Sequence, residues 1–267
     1  MKAFAFVLVL GAVACTPAMQ SPGEQPAPEE LPPRRGSIDG SRALIREMHD
    51  RYAGKWYRTL RFEQTNTFYT QSGKEEKSQW VENLSVPGRL RIDFQPLSAR
   101  SGMLILNNRV TTFDNGRRVQ TRRSIQPLLT LTADVYAIPA SVTIRRIDSL
   151  GIDLSKFHET RWQKERIYVI GAESGDLEST QIWVDADRLL LTRFIQRDRR
   201  GERTTITDTR VSDYRDVDGF PVAYEFLSYR DGKPFFREKY ENVRVNEPIP
   251  SRLFDPSRWA AAQPIAP

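Results

Sequence analysis

The chain has 267 residues, a formal charge of +6 and one cysteine, Cys15. A single thiol excludes an internal disulfide, so stability must come from core burial and backbone pairing. Charges are interspersed rather than blocked, which reads as a solvated basic surface and also suits contact with anionic lipid headgroups or glycans.

The chain opens with Lys2, an apolar stretch from Phe4 to Val13, and small Ala14 directly before Cys15. That order predicts a lipoprotein signal peptide over residues 1–14 and lipidation of Cys15, with an ordinary secretory signal as the alternative. The apolar run is too short for a spanning helix, which needs about 20 residues. Thr16 stands where an inner-membrane retention signal typically carries Asp, so the expected place is the outer membrane, anchored by lipid and facing the periplasm. An exported chain without a recognition helix or aromatic-basic motif is not expected to meet nucleic acid. Residues 15–40 hold Pro17, Pro22, Pro26, Pro28, Pro32 and Pro33 among Gly, Glu and Gln, a composition that buries no core and reads as a disordered tether.

Ser41 stands in a capping-type position before an amphipathic helix with Leu44, Ile45, Met48 and Tyr52 on one face, ended by Gly54. The period then changes to two. Trp56, Leu60, Phe62 and Phe68 share a parity, with polar Gln64 and Asn66 between them. Turns at Gly73, Pro87-Gly88, Asn107-Asn108 and Asn115-Gly116 divide residues 56–122 into four or five strands. Residues 124–136 return to helical spacing through Ile125, Leu128, Leu129, Thr132, Val135 and Tyr136, and 140–150 form a second, weaker helical or coil segment. Strand pattern resumes from Phe157 to Val245. Gly201, within the basic run Arg197 to Arg203, marks a hairpin turn. About ten or eleven strands joined by hairpins imply one antiparallel meander. A sheet of that size curls, and its concave apolar face needs a cover. The expected fold is therefore α+β, mainly antiparallel β: a curled half-open barrel over residues 41–255, lidded by amphipathic helices, with a short tail at 256–267.

Four stretches carry a family resemblance: Ser85 to Phe94, Met103 to Asp114, Ile182 to Phe194, and Tyr240 to Asp255 with its aromatic-x-Asn-Val pattern. In order and spacing they resemble the LolA/LolB lipoprotein-localisation proteins and their superfamily of lidded half-barrels. The resemblance implies a periplasmic or outer-membrane protein that holds lipid or lipoprotein acyl chains without covalent chemistry, working as a monomeric carrier or acceptor beside other envelope transport proteins. Family carriers often place a basic residue before the Pro of the first motif, where it ties down the lid. Here that position is Val86, with Arg89 and Arg91 nearby.

Strand parity nominates Leu60, Phe62, Trp80, Leu90, Ile92, Phe94, Leu104 and Leu106 as cavity lining, with Leu128, Leu129 and Val135 from the lid. The same pattern also describes a filled core. His158-Glu159 has only His49 as a second histidine, so no metal site is expected. Asp213, Asp216 and Asp218 before Gly219 lack calcium-loop spacing and read as a turn. No nucleophile elbow or phosphate loop occurs, so neither an enzyme nor a cofactor is expected. A carrier predicts an apolar cavity under a lid. An envelope sensor or interaction lipoprotein of the same fold predicts a filled core.

Overall fold

The computed structural model describes residues 29–30, 38–70, 72–262 and 264–265. The signal segment, Cys15 and most of the tether lie outside the described residues. In chain order the elements are β1 (Glu29–Glu30), α1 (Ser41–Tyr52), β2 (Thr59–Tyr69), β3 (Glu75–Ser85), β4 (Arg89–Phe94), β5 (Gly102–Leu106), β6 (Arg109–Asp114) and β7 (Arg117–Arg123). There follow α2 (Pro127–Thr132), a 3-10 turn at Asp134–Tyr136, α3 (Ala140–Ser149), β8 (Phe157–Trp162), β9 (Glu165–Ile170), β10 (Gln181–Asp185), β11 (Leu191–Arg200), β12 (Arg203–Val217), β13 (Phe220–Arg230) and β14 (Lys233–Val245).

All strands join one curled, unclosed antiparallel sheet, in the order β1-β8-β9-β10-β11-β12-β13-β14-β2-β3-β4-β5-β6-β7. The expected architecture stands, with thirteen strands beyond residue 58 instead of ten or eleven. Tight connections at Asn107-Asn108 and Gln163-Lys164, all four residues at positive φ, let adjacent strands abut with almost nothing between them. Six strands beyond residue 58 thus precede α2.

The sheet order explains the lid. β7 lies at one edge, and β8 lies beside the other edge, next to β1. The connection between them, residues 124–156, has to cross from one side of the curl to the other, and it carries α2, the 3-10 turn and α3. α1 packs on α3 and on the 134–136 turn. The helical segment 124–136 is shorter than its apolar spacing suggests. The Thr132 hydroxyl donates to Leu128 O at 2.7 Å, and the chain leaves the helix at Ala133 (φ −134°) to bury Asp134. Ser41 does not cap α1; it is the first helical residue, and its hydroxyl donates to Lys156 O.

Between sheet and lid lies the main core, where Leu44, Ile45 and Met48 of α1 and Ile144 and Ile147 of α3 meet Leu60, Ile92, Ile182, Phe194 and Phe226. Two smaller clusters sit outside it. One joins Leu104 and Phe113 to Leu253, Phe254, Trp259 and Ala262. The other groups Trp162, Ile167, Val169, Ala172 and Trp183. The segment expected as a short tail packs against the sheet through Trp259 and Ala262.

Candidate functional site

The concave face is built by one parity of each strand. Leu60 pairs with Leu84 and Leu84 with Leu90, Phe62 with Glu82 and Glu82 with Ile92, Gln64 with Trp80 and Trp80 with Phe94. These rows lay Leu60, Phe62, Trp80, Leu90, Ile92 and Phe94 side by side on the lid-facing surface. Leu129 and Val135 are buried in the same cluster, and Leu128 packs against it half-buried.

Leu104 and Leu106 are corrections. Leu90 pairs with Ile105, which puts Met103 and Ile105 on the concave face and turns Leu104 and Leu106 outward beside Arg91 and Arg89. The run Met103 to Leu106 is apolar at every position, so it carries no alternation, and a slip of one residue exchanges the faces. Leu104 instead belongs to the outer cluster with Phe113 and Trp259. With Leu106, Arg109, Thr111, Arg118, Thr121 and Pro256 it lines an outer hollow of about 180 Å³.

The lid is tied down by an acid. Asp134, 1% exposed, accepts from the Gly88 N–H at 2.8 Å and from Arg146 Nη1 at 2.5 Å. Gly88 belongs to the turn after the cis Val86-Pro87 bond, so one carboxylate joins the β3–β4 turn to the 3-10 turn and α3. Burial raises the Asp134 carboxyl above its ordinary range, and the Arg146 and Gly88 hydrogen bonds draw it back down. Arg89 and Arg91 do not take this role. Arg91 is buried on the outer face in a two-bond pair with Asp93, and the Arg89 guanidinium lies over the Phe254 ring. Val86 packs on the main core. Further ties run from Tyr52 Oη to Arg188 O at 2.7 Å and from Tyr136 Oη to Leu189 O at 3.1 Å.

Sequence reading missed a polar band across the apolar face. Gln64, Asn66 and Glu82 are buried there, with half-buried Glu238 and Tyr240 opposite Asn66 and Gln64. Gln64 Nε2 donates to Asn66 Oδ1, while Asn66 Nδ2 and Ser78 Oγ have no hydrogen-bond partner. The signal lay in the parity already noted for Leu60 and Phe62, which Gln64 and Asn66 share. Burial and the nearby Glu238 push the Glu82 carboxyl well up, and burial pushes Glu238 up to about 7 from its ordinary 4.5. Across that window the folded protein binds more protons at Glu238 than the unfolded chain does. Stability therefore falls as pH rises from about 4.5 to about 7 and stays lowered above it. Glu238→Gln is expected to remove this loss, gaining about 1–2 kcal/mol at pH 8 and almost nothing at pH 4, as read from urea unfolding at the two pH values.

Besides the outer hollow, a hollow of about 50 Å³ opens between Gln64, Trp80, Gln95 and Glu241. Both are smaller than common ligand pockets of about 300–1,000 Å³, and the lid side chains Leu129, Val135, Ile144 and Ile147 pack in one cluster with Leu60, Phe62 and Ile92 of the concave face. His158 Nδ1 lies 3.1 Å from Ala172 O, and His49 pairs with Asp50. Asp216 accepts from Gly219 N–H in a turn, and Asp213 pairs with Arg215. Among the described residues no group of three His, Cys, Asp or Glu side chains could hold a metal, and no helix is long and apolar enough to cross a membrane.

No family model and no curated protein matches the sequence. Solved structures do match the fold. A DUF1329 family protein from Desulfovibrio piger aligns with TM-score 0.55 at 15% identity, covering 82% of this chain and 97% of its own. A domain described as an outer membrane lipoprotein-sorting protein from Vibrio parahaemolyticus aligns with TM-score 0.55 at 10% identity over 81% and 97%. A LolA superfamily protein from Nitrosomonas europaea aligns with TM-score 0.50 at 13% identity over 81% and 98%.

Proposed function

From the LolA-like fold of this chain, we propose that it is a lipid-anchored, periplasm-facing protein of the outer membrane. It takes acyl chains of a lipid or lipoprotein between its concave sheet and its helices, in lipoprotein sorting or lipid transfer, without covalent chemistry. The observation that carries this reading is the cover itself. A broad apolar sheet face is closed by short helices on a crossing connection, fastened by a few polar ties of which Asp134 makes two. When the lid lifts, Leu129, Val135, Ile144 and Ile147 leave the place that an acyl chain would take. Exchanging side chains for a chain worth about 0.8 kcal/mol per buried CH₂ keeps loading near balance, as reversible transfer needs.

The filled concave face also favours a second reading, an envelope sensor or protein-interaction lipoprotein that carries no lipid. Native mass spectrometry with lipid extraction separates the two, using the full chain with Cys15→Ala recovered from a bacterial periplasm. Close to one lipid or lipopeptide per protein, lost in Leu129→Glu with circular dichroism unchanged, is the expected carrier result. Folded protein that is always empty would move the assignment to the interaction reading.

A further inference from the structure

One end of the concave face is built unlike the rest. Along β2 burial is complete at Leu60, Phe62 and Asn66, and relaxes to half-buried Phe68 near the β2–β3 turn. Half-buried Trp80, Phe94 and Phe236 close around this end, with ring centroids 5.0 Å apart for Trp80–Phe94 and 6.2 Å for Trp80–Phe236. Tyr240 stacks on Phe62 at 3.9 Å just beneath. Amid these rings stand Glu82 and Glu238. Neither has an ion-pair or hydrogen-bond partner among the described residues. Asn66, fully buried and directly across from Glu238 on the same face, keeps its Nδ2 unpartnered, as does Ser78 Oγ opposite Asn66.

Two carboxylates without a cation, inside a ring of aromatic faces, form the complement of one chemical class. A hydrated metal ion wants several converging oxygens and gains little from rings. An ammonium group gains from both, through charge with the carboxylates and through the quadrupole of the ring faces. The unpartnered Asn66 amide and Ser78 hydroxyl then suit an oxygen a few bonds from the nitrogen.

We propose that this end of the concave face binds an organic cation, the primary or quaternary ammonium of an amine or of an amine-bearing lipid, held by Glu82 and Glu238 against Trp80 and Phe236. The inference deepens the lipid-handling reading: in a lipid, the headgroup sits at the mouth while the chain runs under the helices.

The test uses the full-length protein and three surfactants of equal chain length below their micelle concentrations, dodecyltrimethylammonium, dodecyl sulfate and dodecyl maltoside, followed by tryptophan fluorescence and calorimetry. The cationic one is expected to bind at least about ten-fold tighter than the other two, and Glu82→Gln with Glu238→Gln to erase that preference. Trp80→Leu, which keeps both carboxylates and removes a ring face, is expected to weaken the cation alone and guards against a misfolded double variant. Competition by tetramethylammonium assigns the site to free amines, and its absence to amphiphiles. Equal affinity for all three headgroups, an unchanged preference in the variants, or no binding of either cation overturns the proposal. Tetramethylammonium binding in a protein that never carries lipid would sink the carrier reading and leave this site standing. Co-purified lipid without headgroup preference would do the reverse.

Discussion

Asp134→Ala is expected to lower the unfolding free energy by about 2–4 kcal/mol, because removing one partner of a buried pair strands the other. Three groups lose at once: the carboxylate itself, the Arg146 guanidinium that it neutralises at 2.5 Å, and the Gly88 N–H that donates to it. Arg146 keeps 19% exposure and can reach water, which holds the cost below that of a fully enclosed pair. The loss falls at one place, the junction of the β3–β4 turn with the lid, so opening of the lid should be eased more than unfolding of the sheet. Urea midpoints give the first quantity, and limited proteolysis within residues 124–156 gives the second. Asp134→Asn, which retains an acceptor for Gly88 and drops the charge, should fall between. A variant with the parent's midpoint and protease resistance would show that the tie bears no weight.

Trp259→Ala is expected to cost more, about 3–5 kcal/mol, in the range for emptying a large buried aromatic site. The indole is 2% exposed and stacks on Phe113 at 4.2 Å with rings 5° apart. The Arg91 guanidinium lies 4.0 Å above its ring, and Nε1–H donates to Arg100 O at 2.9 Å. Gly102 leaves room for the ring edge, since a Cβ there would stand 3.0 Å from the indole. A free tail would tolerate the change with no shift in thermal midpoint, so calorimetry decides directly between a tail and a structural clasp.

That contrast shows where the sequence was legible. Amphipathic α1 and the alternation of β2 and β4 could be read directly, because one wet and one dry face impose period two or period 3.6 on the residues. β7 could not be placed by that rule, since all seven of its residues are exposed and none has a dry side. Leu104 and Leu106 were misassigned because an unbroken apolar run states burial without stating direction. The packing of the tail was not legible, because a composition of Pro, Ala and Ser gives no hint that one tryptophan finds a slot beside Arg91. For the candidate site, the apolar residues of β2 and β4 on the concave face were legible and the acidic band was not. A buried glutamate looks like a surface glutamate until its neighbours are known, and its neighbours lie on strands far along the chain.

The sheet order carries a consequence for how this molecule comes together. β2 to β7 and β8 to β14 are each runs of hairpins between sequence neighbours, which close short loops quickly. Within the sheet they meet at a single junction, β14 against β2, and there the Thr59 hydroxyl meets the Glu247 carbonyl across 188 residues of chain. The entropy of closing a loop grows with the logarithm of its length, so among the strand pairs beyond residue 58 the largest closure cost falls on that one zipper. Phe62 stacked on Tyr240 and Phe68 against Phe236 bridge it with aromatic contacts. The two runs of hairpins thus share one sheet only where its first full strand lies beside its last.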